Sequence, residues 1–319
     1  MSGAFSKKYY RSLEPLIKPV DHPRPLDWAE IFGRRAPLEL EIGFGNGEFL
    51  HSQSLARPER DYVGVEIAWA SAKRALRRLA GPPRPNARVM IMKAESALAR
   101  CFAPESLSVI RSLFPIPWPD ERQEKRRLFQ RAFLDLAASR LTPDGLFSLV
   151  TDSPELAGWT MEQAGSSALA LTMEERPPEM NTKYERKWQG GGRRNFYHLQ
   201  GRKTARPPIS VPEEPPMQAC YREDFDPRNY QPRGCADQVV VKFKEFVFDP
   251  LNKQGLLRSF VLEGPLTQEF FIRISFENGR WKFSPAIASQ LFPTHGLARA
   301  LELACAGAGP PTGPSHARE

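Results

Sequence analysis

At 319 residues the chain is long enough to bury more than one core, and its net charge of +8 and pI near 9.4 favour a polyanionic partner, nucleic acid first, over an acidic protein or a membrane surface. No apolar run approaches membrane-spanning length, and the N-terminus (Lys7, Lys8, Tyr9, Tyr10, Arg11) lacks the apolar stretch of a signal peptide, so a cytoplasmic protein is expected. Cys101, Cys220, Cys235 and Cys305 form no C-x-x-C and His22, His51, His198, His295 and His316 show no metal-ligand spacing, which predicts free thiols in a reducing compartment and no metal.

Residues 1–35 form a polar N-terminal arm broken by Pro15, Pro19, Pro23 and Pro25, with a short helix near Trp28 to Phe32. A different texture begins at L-E-L-E-I-G-F-G-N-G-E-F-L, Leu38 to Leu50. Leu38, Leu40 and Ile42 read as a buried strand, Gly43, Gly45 and Gly47 as a tight turn that lets backbone approach a ligand, and Glu48 as a helix start. A dinucleotide fingerprint would need its third glycine where Glu48 stands. The carboxylate of Glu41 just before the loop suits a cofactor with a cationic amino acid end, which points to S-adenosylmethionine. About twenty residues on, the run Tyr62 to Val65 ends in Glu66, an acidic strand tip able to accept both ribose hydroxyls. The bland alternative is an ordinary strand-to-helix turn and a solvated strand end.

Further strands are expected at Arg88 to Met92, Leu107 to Phe114 and Leu146 to Val150, with helices at Ala68 to Leu79 and Arg127 to Leu141 and a turn at Pro143-Asp144-Gly145. Alternating strands and helices predict an α/β fold, a doubly wound, mostly parallel sheet, over residues 36–205. A helix is expected around Glu155 to Leu171. The stretch Asn181 to Arg206 then carries Lys183, Arg186, Lys187, Arg193, Arg194, Arg202, Lys203 and Arg206 among Tyr184, Trp188, Phe196 and Tyr197, a pattern that suits RNA. Its alternative is a final hairpin with Asn195 to Gln200 as an edge strand and the charges as its solvated face.

Prolines crowd residues 206–235, which predicts an extended, poorly packed linker. Residues 236–304 read as a small α+β C-terminal domain. Its expected strands are Val239 to Phe248, Leu256 to Leu262 and Glu269 to Phe276, the last joined to Trp281 to Phe283 through Asn278-Gly279, a hairpin signal. A helix over Ala286 to Ala304 closes it, and residues 305–319 read as a disordered tail.

The most unusual string is L-F-P-I-P-W-P-D-E-R-Q-E-K-R-R, Leu113 to Arg127, whose prolines make a rigid loop leading into Arg122, Lys125, Arg126 and Arg127. With it, the glycine loop, V-T-D at Val150 to Asp152 and T-K-Y-E at Thr182 to Glu185, residues 35 to 205 resemble the bacterial tRNA (guanine-N7)-methyltransferase family. The resemblance implies a Rossmann-like class I methyltransferase that moves a methyl group from S-adenosylmethionine to N7 of a guanine in tRNA, a guanosine of the variable loop. It implies that Glu41, Gly43, Gly45, Gly47 and Glu66 hold the donor. Asp152, Thr182, Lys183, Tyr184 and Glu185 would bind the target guanosine, Asp152 as the catalytic residue, and Arg122, Lys125, Arg126 and Arg127 would bind RNA. A carboxylate such as Asp152 or Glu185 suits the paired donors of guanine's N1–H and exocyclic amine. The chain departs from the family at Ile116 and Asp120, where an aspartate and a basic residue are usual, and at Lys93, where an acidic or amide residue is usual. A non-catalytic RNA-binding relative and a methyltransferase acting on another base nitrogen remain alternatives. The basic residues Lys242, Lys244, Arg258, Arg273, Arg280 and Lys282 predict that the C-terminal domain helps to hold tRNA.

Overall fold

A computed structural model describes residues 12–80, 86–180, 182–190, 195–286 and 291–308. The chain divides into two compact units between Pro212 and Glu213. In the first, β1 (Leu38–Ile42), β2 (Asp61–Glu66), β3 (Ala87–Ile91), β4 (Leu107–Leu113), β5 (Leu141–Thr151), β6 (Leu169–Arg176) and β7 (Phe196–Lys203) make one sheet in the order β3-β2-β1-β4-β5-β7-β6. Strands β1 to β5 run parallel, and β7 lies antiparallel between β5 and β6. The helices are α1 (Trp28–Phe32), α2 (Glu48–Ala56), α3 (Trp69–Leu79), α4 (Ala94–Cys101), α5 (Arg131–Arg140), α6 (Pro154–Gly165) and α7 (Lys183–Gly190). All five residues of β1 are buried, as a central parallel strand covered on both faces requires. Helix α3 buries Ala72, Ala75, Leu76 and Leu79, the three-and-four stripe of a helix lying on a sheet.

The arm is packed from Leu16 onward. Leu16 bridges to Val89 beside β3, and Trp28 stacks on Phe102 at 5.2 Å and donates its indole N–H to the Cys101 carbonyl. Arg140, wholly buried at the end of α5, donates to the carbonyls of Leu98 and Ala99 in the last turn of α4 and to those of Ile209 and Ser210. The chain just beyond β7 is thereby tied to the first unit.

Two expectations are corrected here. The helix after Asp152 stops at Gly165, and Leu169–Arg176 becomes the edge strand β6, because an alternating run such as L-A-L-T-M fits either period until a neighbouring strand claims it. The stretch from Phe196 is therefore an interior strand rather than the edge of a hairpin. The Pro143-Asp144-Gly145 turn lies inside β5, where pairing with β4 jumps from Leu107↔Leu141 to Val109↔Leu146 and the intervening residues bulge outward.

The second unit holds β8 (Cys220–Arg222), β9 (Cys235–Ala236), β10 (Val240–Asp249), β11 (Gln254–Glu263), β12 (Leu266–Glu277) and β13 (Arg280–Pro285), antiparallel in the order β8-β13-β12-β11-β10-β9, and α8 (His295–Ala306). Leu297, Ala300, Leu301 and Ala304 of α8 share a core with Val241, Leu257, Phe270, Ile272 and Phe283 of the sheet. Asn278 and Gly279 sit at φ 51° and 81°, the left-handed pair of a two-residue hairpin. The proline-rich stretch is less of a linker than its composition predicts. Tyr230 is buried and donates its hydroxyl to the Ala304 carbonyl, and Phe225 packs edge-on to Tyr230, Trp281 and Phe283. These aromatics give the segment a core to join, which prolines alone do not.

Cys220 and Cys305 form a disulfide, correcting the expectation of free thiols; the spacing search missed a pair 85 residues apart. Cys305 and Ala308 are buried, so the expected tail does not begin at Cys305, and its residues 309–319 lie outside the described residues.

Candidate functional site

Because β1, β2, β4 and β5 are parallel, their C-terminal ends share one edge of the sheet, and the order reverses between β1 and β4, where doubly wound folds open a ligand crevice. Gly43, Gly45 and Gly47 take φ of 72°, 54° and 73°, a backbone that only glycine adopts without strain. Gly47 has a second reason to be glycine, since a Cβ there would lie 2.7 Å from that of Ala75. A Cβ on Gly43 or Gly45 would meet nothing within 4 Å, so the upper side of the loop is open.

Glu41 and Arg111 are paired neighbours on β1 and β4. Glu41 is 6% exposed and its Oε2 has no hydrogen-bond partner. Burial pushes its carboxyl up to about 8; Arg111 pulls the other way, the charge of Glu66 adds to the rise, and the Leu50 N–H lowers it. Arg111 is itself engaged, donating to Glu39 at 3.2 Å and lying 5.0 Å from the Phe49 ring. An arginine within the buried strand S-V-I-R-S-L is the sequence signal for the Arg111–Glu39 ion pair, which belongs to no motif. Glu66 turns back on the loop, accepting from the N–H groups of Gly45 at 3.2 Å, Ile67 at 2.8 Å and Ala68 at 3.0 Å. A buried orphan carboxylate and an open left-handed glycine turn fit the cationic amino acid end of S-adenosylmethionine.

The proline loop leaves β4 through Phe114 and Trp118 at φ 54° and 45°, and Phe114 packs edge-on against Phe196 at 5.1 Å. Ile116 is 65% exposed, an apolar side chain at the position where the resemblance implies an aspartate. Asp120 accepts from the Arg122 N–H and caps a 3-10 turn, Glu121–Arg126. Arg122, Lys125 and Arg126 are exposed on this turn, Arg126 over the Trp118 ring at 4.9 Å. Arg127 is corrected from the RNA-facing set: it is buried, donates to the Trp118 carbonyl and lies over the Trp159 ring, so it braces the loop from within.

Asp152 follows β5 half-buried at the same edge, and the cap of α6 is Ser153, whose hydroxyl accepts from the Leu156 N–H. The T-x-x-E motif is a capping box. Glu185 accepts from the Thr182 N–H at 2.9 Å, and the Thr182 hydroxyl accepts from the Glu185 N–H at 3.2 Å. Glu185 also accepts from the N–H groups of Glu179 and Met180, and it is fully buried. Its carboxylate is thus spent on the backbone of Glu179, Met180 and Thr182; it is not presented to a base. Thr182 is buried, Lys183 is exposed, and the side chain of Tyr184 lies outside the described residues, as do Arg193 and Arg194. Of the basic stretch, Arg202, Lys203 and Arg206 lie past the crevice, because β7 runs away from it; they pair with Asp144 and Glu105 at the far edge.

A family model described as "Putative methyltransferase" matches residues 35–198. A tRNA (guanine-N(7)-)-methyltransferase of Halorhodospira halophila is 37% identical over 196 residues, 58% of this chain and 85% of that protein. Enzymes of the same name from Thermotoga maritima and Bordetella pertussis are 36% and 42% identical over 184 and 147 residues, covering 56% and 46% of this chain. The chain spans 59% and 58% of the length of those two relatives. The matched residues contain the glycine loop, the proline-tryptophan string and V-T-D, the same elements that the sheet gathers at one edge, and the chain belongs to the tRNA (guanine-N7)-methyltransferase family.

Proposed function

We propose that this chain transfers a methyl group from S-adenosylmethionine to N7 of a guanine in tRNA, with a guanosine of the variable loop as the target and the cytoplasm as the setting. The observation that carries the reading is the buried, unpartnered oxygen of Glu41 beside three left-handed glycines, a cradle for a cationic ligand end. S-adenosylmethionine supplies an electrophilic methyl group on a sulfonium. Guanine N7 offers a lone pair at neutral pH, so its bond to the methyl carbon forms as the sulfur–carbon bond breaks, the positive charge passes to the base, and no proton moves. The protein's task is alignment and stabilisation of that charge. Asp152, half-buried at the crevice, supplies the negative field. The segment that opens α7 with the Thr182–Glu185 capping box holds the guanosine, and Arg122, Lys125 and Arg126 meet the phosphates.

The positive charge supports the same surface. Residues 1–212 hold 33 Lys and Arg against 24 Asp and Glu, and residues 213–319 hold 12 against 13. The test is tritiated methyl transfer to an unmodified tRNA followed by nucleoside analysis. Label in 7-methylguanosine is expected; label in another nucleoside, or none from a protein that binds tRNA, overturns the reading.

A further inference from the structure

Arg186 follows directly on Glu185, and its Nη2 donates to Oε2 of Glu48 at 2.8 Å, across 138 residues of sequence. Glu48 is the first residue of α2, next to Gly47, the last of the three left-handed glycines. Its other oxygen accepts from Arg78 of α3 at 3.0 Å, and Arg78 also donates to the Asn46 carbonyl within the loop at 3.1 Å. Burial opposes the charge on Glu48, but the hydrogen bond and charge of Arg186 and the charge of Arg78 outweigh it and hold the carboxyl below its usual range. One carboxylate therefore joins the glycine loop and the helix that opens with T-x-x-E.

We propose that the Arg186–Glu48 pair is a positioning contact that couples the two ligands, so that donor and tRNA each tighten the binding of the other. The proposal rests on the reading of the two elements given above. Glu48 joins the glycine loop to the start of α7, so a ligand that restrains either element restrains the other, and the first ligand bears part of the ordering cost of the second. Arg186 and Glu48 are 48% and 22% exposed, so the coupling is modest, about fivefold at most. Linkage requires the factor to be the same in both directions. A brace that only stabilised the fold would leave that ratio unchanged when removed.

The test is calorimetry on the full-length chain with S-adenosylhomocysteine and an unmodified tRNA transcript, measuring each dissociation constant with and without the other ligand at saturation. The wild type is expected to show reciprocal tightening of about threefold to fivefold. Arg186→Gln and Glu48→Gln should each bring the ratio near one, the double variant should go no further, and Arg186→Lys should retain part of it. A wild-type ratio of one, or an unchanged ratio in Arg186→Gln, overturns the coupling and leaves the proposed function standing. So does an Arg186→Gln protein that binds tRNA more weakly but keeps the wild-type ratio, which marks a direct RNA contact. A folded wild type that binds neither ligand overturns both readings.

Discussion

The Gly45 N–H donates to Oε2 of Glu66 at 3.2 Å, so the loop that faces the donor is held by the carboxylate expected to take the donor's ribose. Substituting Glu66 therefore acts twice, on the ligand and on the loop. Glu66→Ala should weaken S-adenosylhomocysteine binding on the order of tenfold to a hundredfold, and Glu66→Gln, which keeps one acceptor oxygen, by less. An unchanged dissociation constant for a folded Glu66→Ala protein by calorimetry removes Glu66 from the site.

Glu41 predicts a proton. Its carboxyl is pushed up to about 8 by burial, so at pH 7 the ligand-free protein holds it protonated. A cationic ammonium beside it favours the ionised form, and binding of S-adenosylhomocysteine at pH 7 should release about one proton. Titrations in buffers of different ionisation enthalpy measure this, and Glu41→Gln should abolish it. Stability runs the same way: a carboxyl raised in the folded state stabilises fully below its ordinary pKa of 4.5 and progressively less as pH rises toward 8, by up to about 1.4 kcal/mol per pH unit. Thermal melts of the ligand-free protein should fall over that window, and those of Glu41→Gln should fall less.

Ile116 is exposed and Asp120 is engaged in capping, so Asp152 is the carboxylate proposed to face the charge that grows on guanine. Asp152→Asn should lower kcat on the order of a hundredfold with little change in donor affinity, and Ile116→Asp in that background should recover part of the loss. Asp120→Asn should leave kcat nearly unchanged. Full kcat in Asp152→Asn would leave alignment alone to account for the rate.

Glu185→Ala takes the acceptor from three backbone N–H groups, that of Thr182 buried and those of Glu179 and Met180 part-buried, and removes the box that opens α7. A loss of about 2 kcal/mol is expected. Glu185→Gln should recover much of it, and its kcat/KM for tRNA should stay near that of the wild type, because the side chain shapes the segment without meeting the base. A large loss of kcat/KM in a Glu185→Gln protein of normal stability would show direct contact.

The second unit carries no excess of positive charge, and two of the basic side chains expected to hold tRNA are met by acids, Arg258 by Glu269 at 2.5 Å and Lys282 by Glu277 at 3.3 Å. The expectation that it holds tRNA is weakened accordingly. A chain ending at Pro212 should keep its KM for tRNA within about twofold, since such exposed charges contribute little to either stability or binding. Ending instead at Lys203 should lower the melting temperature, because it removes the Ile209 and Ser210 carbonyls that Arg140 meets. A tenfold rise in KM on removal of residues 213–319 would restore the RNA-holding role.

Much of what is legible in one dimension is local: Gly43, Gly45 and Gly47 announce a tight turn by their spacing and Asn278-Gly279 a hairpin, whereas Thr182 with Glu185, expected at the target base, is a helix cap. Strand and helix periods likewise mark β1 to β5 without reference to one another. What the tertiary structure decided depends on partners far along the chain. Whether Leu169–Arg176 is strand or helix was settled by β7, and whether Cys220 is free by Cys305. Arg127 and Arg122 are five residues apart in one basic cluster, yet one is buried over Trp159 and the other exposed. Glu185 and Glu41 are both buried carboxylates, one filled by three backbone donors and the other left with an orphan oxygen. A residue's type states which bonds it is able to make, and only the fold states which partners have already taken them.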